Sequence, residues 1–106
     1  MNSGFRFKVQ STATGVHSPA SWTVPESGGT VGRSPDCAWV LDDPNRIVSR
    51  QHARVDIEGG QCHWTDLGTN TTQVNGKPMR QGLRVCLKTG DVLRIGEHCV
   101  ILEATE

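Results

Sequence analysis

The chain holds 106 residues, with eleven Lys and Arg against eleven Asp and Glu, so its formal net charge is zero. That length suits one domain, and the balanced charge argues against bulk nucleic-acid binding, which needs surplus cations to neutralise phosphates. The longest apolar runs, Ala38 to Leu41 and Cys99 to Leu102, are too short to cross a bilayer, and no charged segment leads into an apolar stretch at the N-terminus. Neither membrane insertion nor a signal peptide is therefore expected, and a cytoplasmic location follows from that reading.

Taken in chain order, the pattern is one of short alternating segments. Phe5, Phe7 and Val9 alternate with Arg6 and Lys8, which predicts a first strand with one buried face. Residues 10 to 21 are small and polar, a loop before a short strand at Trp22 to Val24. A longer loop is expected over 42 to 51. Ala53, Val55 and Ile57 then alternate with Arg54, Asp56 and Glu58, and Gly59-Gly60 reads as a two-residue turn into a strand carrying Cys62 and Trp64. Asn75-Gly76 is the strongest short hairpin signal in the chain. Val85 with Leu87, Leu93 with Ile95, and His98, Val100 and Leu102 complete the series, with tight turns at Gly90-Asp91 and Gly96-Glu97.

No window shows the spacing of an amphipathic helix, while twelve Gly and five Pro punctuate the strands. The class is all-β, a sandwich or barrel of antiparallel strands. A single domain over 1–106 is expected, with its core at about 5–104, forming the N-terminal part of a longer protein. Trp22, Trp39 and Trp64 read as core or rim packing.

The four cysteines, Cys37, Cys62, Cys86 and Cys99, are isolated from one another and read as reduced thiols packed as small hydrophobes. Cys62-His63 and His98-Cys99 invite a metal. Neighbours on a strand point to opposite faces, however, so neither pair can chelate one ion with both side chains, and no metal or other cofactor is expected.

Three clusters fall at strand ends rather than within the alternating runs. They are Gly32-Arg33, Ser49-Arg50-Gln51-His52, and the segment from Asp66 through Thr69, Asn70, Thr71 and Thr72 to Asn75-Gly76. Together they supply guanidiniums, hydroxyls and an amide, donors that suit a dianion such as a phosphate group if the loops converge. Arg46, Lys77 and Arg80 either extend a basic rim or are ordinary solvated surface. Ser49, His52 and Asp66 are also a nucleophile, a base and an acid on paper. Ser49 lacks a Gly-x-Ser-x-Gly elbow, however, and no enzyme is expected.

The order Gly-Arg, Ser-Arg-x-His, Asp-x-x-Thr-Asn-x-Thr-x-Val-Asn-Gly, Leu-x-x-Gly-Asp and Ile-Gly resembles the forkhead-associated (FHA) domain over about residues 5 to 104. The resemblance implies an eleven-stranded antiparallel β-sandwich that binds phosphothreonine peptides through loops at one end. It further implies that Arg33, Ser49, Arg50, Thr69 and Asn70 hold the phosphopeptide, with Gly32, His52 and Asn75 supporting the site. The implied partner is a threonine-phosphorylated protein or peptide, the product of a Ser/Thr kinase.

One position departs from the pattern: Thr71 stands where the family usually has glycine. A β-branched residue resists the positive φ that glycine allows, so the turn is expected to be rebuilt or strained there. That departure favours the alternative, a phosphate-independent interaction module of the same fold. The run Asp-Pro-x-x-x-Val-Ser-Arg-x-His at 43 to 52 also resembles the N-terminal FHA domain of bacterial type VI secretion scaffold proteins, which would place the domain in post-translational control of that apparatus.

Overall fold

The structure, a computed structural model, describes residues 4–11, 20–43, 46–68 and 72–105. Two sheets face each other. The first contains β1 (Phe5–Ser11), β2 (Ser21–Thr23), β7 (Gln73–Val74), β8 (Lys77–Pro78), β10 (Val92–Ile95) and β11 (His98–Ala104), in the order β2-β1-β11-β10-β7-β8. The second contains β3 (Gly29–Gly32), β4 (Trp39–Val40), β5 (Ala53–Glu58), β6 (Gln61–Asp66) and β9 (Arg84–Leu87), in the order β4-β3-β5-β6-β9. The eleven strands and the sandwich are as the sequence implies.

The pairing departs from a purely antiparallel plan at one place, where β3 and β4 run parallel with Val31 opposite Trp39. A hairpin cannot join parallel strands, so the chain loops out over 33 to 38 and returns. The second strand lies at Ser21–Thr23, one residue earlier than the sequence places it.

Alternation explains which face each strand buries. Phe7, Trp64, Leu93, Ile95, Val100 and Leu102 all point between the sheets and are fully buried. An aromatic cluster ties the layers together. Phe7 stacks on Trp22 at 6.1 Å and on Trp39 at 5.8 Å, and meets Trp64 edge-on at 5.6 Å. Such pairs add about 0.5–1.5 kcal/mol each beyond their area burial. The tryptophans are thus interior packing, with Trp22 half-buried at the margin.

All four cysteines are free thiols. Burial pushes the Cys62 thiol up to about 12, with nearby Cys86 adding to the shift, so Cys62 behaves as an apolar filler. Among the described residues no cluster of three metal-ligating side chains forms, and no helix is long and apolar enough to cross a membrane.

The turns fall where glycine or asparagine permits them. Asn75 takes φ 51° ahead of Gly76 at φ 84°, the left-handed pair that a two-residue hairpin between β7 and β8 requires. The turn at Gly90 carries the chain from β9 in one sheet to β10 in the other.

Candidate functional site

The loop after β4 is drawn onto the end of β3 by main-chain bonds. Arg33 N–H donates to the Ser49 carbonyl, Ser34 N–H to that of Arg50, and His52 N–H to that of Val31, at 3.0, 3.0 and 2.8 Å. The Cys37 thiol donates to the same Arg50 carbonyl. This contact is possible because residue 32 is glycine: a Cβ there would lie 2.3 Å from the Arg50 oxygen and 2.9 Å from the His52 nitrogen. Asp43, nearly buried, closes the loop from the other side, its carboxylate accepting the Val48 N–H and its carbonyl the Arg46 N–H.

These constraints shape a shallow cup of about 310 Å³ lined by Arg33, Arg46, Val48, Ser49, Arg50, Gln51, Leu67 and Gly68. Three arginines line it, and among the described residues no lining residue is acidic. Arg33 is held by its own Nε, which donates to the Val48 carbonyl at 3.1 Å, while its two terminal amino groups have no acceptor among the described residues. That posture presents a fork to an anion.

His52 lies beneath the cup and is fully buried. Its Nδ1 accepts the main-chain N–H of Ser49 at 3.0 Å, and its carbonyl accepts the N–H groups of Leu67 and Gly68. One residue therefore ties the serine loop to the segment leaving β6. Desolvation lowers the His52 pKa, with Asp66 and then Asp43 partly opposing the shift, so the ring is neutral near pH 7. With its Nδ1 lone pair engaged by a main-chain donor, the ring has no free base to take a proton from a serine hydroxyl. This geometry is not that of a nucleophilic Ser-His-Asp site.

The structure brings Gly32, Arg33, Ser49, Arg50 and His52 together. Thr69, Asn70 and Thr71 lie outside the described residues. Asn75 sits elsewhere: its amide donates to Asp91 and its side-chain oxygen accepts the Val92 N–H, which fastens the β7–β8 turn to the start of β10. Of the three residues weighed as a basic rim, Arg46, with φ 57°, lines the cup, whereas Lys77 and Arg80 do not. Two roles were not legible in the sequence. Gly68 is one, since a Cβ there would lie 2.4 Å from Ser49 Oγ. The other is that of Asp43, whose loop closure depends on a carboxylate meeting an amide five residues on, which no short motif announces.

The class that this fold and this cup define is a two-sheet binding module that presents an anion-matched loop end. The chain belongs to the FHA domain family, whose sequence model matches residues 29–96. It is similar to the glycogen accumulation regulator GarA of Mycolicibacterium smegmatis, with 37% identity over 73 residues that make up 68% of this chain and 43% of GarA. The chain thus spans less than half the length of that curated relative. Among solved structures, an FHA domain characterised by phosphothreonine-dependent interactions is 27% identical, with a TM-score of 0.77 and coverage of 94% of this chain and 95% of its own. The FhaA FHA domain complexed with the intracellular domain of Rv3910 is also 27% identical, with a TM-score of 0.76 and coverage of 93% and 99%.

Proposed function

We propose that this chain is a phosphothreonine-peptide-binding module that recruits a threonine-phosphorylated partner, the product of a Ser/Thr kinase, and performs no catalysis. The observation that carries this reading is the cup that Arg33, Arg46 and Arg50 line together with Ser49, with no acidic residue among its described lining. A phosphothreonine brings about −1.5 to −2 charges and three strong acceptor oxygens, and guanidiniums with a hydroxyl match that demand in charge and in donors. Arg33 and Arg50 hold the phosphate with Ser49, while Thr69 and Asn70 take the phosphate-side and peptide main-chain contacts that the family resemblance assigns. The phosphothreonine dependence of one structural relative, and the protein partner of FhaA, support the same reading.

The finer setting is a cytoplasmic domain of a bacterial type VI secretion scaffold that reads threonine phosphorylation. It rests on the 43 to 52 run alone. A full-length gene with no long C-terminal extension, far from any secretion cluster, would end that part.

The test is a fluorescence-polarisation titration against degenerate phosphothreonine, phosphoserine and unphosphorylated peptide pools, repeated with Arg33→Ala. Binding to the phosphothreonine pool alone, weakened about tenfold to a hundredfold by the substitution, is the expected outcome, since a charge-assisted hydrogen bond contributes about 1.5–3 kcal/mol. Equal binding to all three pools would instead make this a phosphate-independent docking module and move the search to the sheet faces.

A further inference from the structure

A row of hydrogen bonds runs from the cup into the interior and ends on a residue that the functional reading does not use. The main-chain N–H of Ser49 can only donate, so His52 Nδ1, 3.0 Å away, must offer a lone pair. In a neutral ring the proton then sits on Nε2. That nitrogen lies 3.0 Å from Thr72 Oγ1, and the Thr72 hydroxyl in turn donates to Asp66 Oδ1 at 2.8 Å. His52, Thr72 and Asp66 are all fully buried, away from bulk solvent. The Thr72 hydroxyl accepts from the ring and donates to the carboxylate through a single oxygen, and so links the two. Without it, Nε2–H faces Asp66 Oδ1 at 3.8 Å, too far for a hydrogen bond. The ring then loses what holds the proton on Nε2, and the other tautomer would set Nδ1–H against the Ser49 N–H, donor against donor.

We propose that Thr72 is a positioning residue for ligand binding: by accepting from His52 Nε2–H and donating to Asp66, it fixes the His52 tautomer that holds the main chain of Ser49 at the cup. The inference rests on the reading of the cup as a phosphothreonine site, and it adds a control point on a different sheet. Thr72 leads into β7 of the six-stranded sheet, whereas Ser49, His52 and Asp66 belong to the five-stranded side. The Thr72 carbonyl is itself held by the Met79 N–H at 2.8 Å, so the hydroxyl stands on a fixed base. The geometry of the serine loop is thereby tied across the sandwich rather than set within the loop.

Two substitutions separate this role from packing. Thr72→Val keeps the shape and removes the hydroxyl; Thr72→Ser keeps the hydroxyl and removes the methyl. Binding of the phosphothreonine peptide pool is expected to weaken about tenfold or more in Thr72→Val, as befits a buried donor and acceptor left unmet beneath the site, and to stay near wild type in Thr72→Ser. Equal losses in both variants, or no loss in Thr72→Val, would overturn the proposal. The second readout needs no variant to fold and no ligand: nitrogen-15 NMR of the wild-type His52 ring at neutral pH. A proton on Nε2 and none on Nδ1 is expected, and a proton on Nδ1 would overturn the assignment. If the wild-type chain binds no phosphothreonine peptide, the functional reading falls. The positioning role is then decided by the Ser49 amide proton, which is expected to shift upfield in Thr72→Val and not in Thr72→Ser; the same shift in both variants, or in neither, would overturn it.

Discussion

At the scale of single residues, the His52 side chain joins stability to function. Folded His52 holds its proton less firmly than its ordinary value of 6.5 because it is buried, and the carboxylates of Asp66 and Asp43 only partly offset that. The unfolded chain therefore binds this proton more readily. The stabilisation is present in full above about pH 6.5 and is lost as the pH falls from there through the lower folded-state value. Chemical denaturation of the wild type should show this loss below pH 6.5, and His52→Gln should not share that slope. A wild-type profile matching that of His52→Gln would contradict the account. The same protonation would replace the Nδ1 acceptor with a donor, so the bond to Ser49 is the first contact to go.

At the scale of elements, the site exists because strand ends and loops are forced into unusually close contact. Gly32 faces main-chain atoms of Arg50 and His52, which cannot swing aside as a flexible side chain would. Gly32→Ala is expected to cost about 1–3 kcal/mol in denaturation midpoints, the range for overpacking, and to weaken phosphothreonine-pool binding by displacing the serine loop. Wild-type affinity in that variant would show that the contact between β3 and the loop does not shape the cup.

Period-two alternation makes most strands legible in the sequence, as with Phe5, Phe7 and Val9 in β1, because each has one wet and one dry face. The parallel pairing of β3 with β4 is not legible, since alternation carries no strand direction and β4 is only Trp39–Val40. At the site, Arg33, Ser49 and His52 stand out by motif. Asp43, Gly68 and Thr72 act through contacts closed by the fold, and their roles appear only once the loops are placed.

At the scale of the whole molecule, a chain of zero net charge presents a cationic end by placement rather than by surplus. Arg33, Arg46 and Arg50 gather on segments that join strands of the five-stranded sheet, while the Phe7–Trp22–Trp39–Trp64 cluster packs the two layers against each other. A rigid scaffold with its recognition residues on end loops is the arrangement that limits the entropy lost on binding. The central claim is that the arginine-lined cup is where the phosphate of a phosphothreonine sits. The most direct measurement is a residue-resolved proton–nitrogen NMR titration with the phosphothreonine peptide pool and its unphosphorylated counterpart. The account predicts that the largest shifts fall on the Ser49, Arg50 and Gly68 amides and on Arg33 Nε, with the phosphorylated pool alone. Shifts centred on another surface, or the same shifts with both pools, would contradict it.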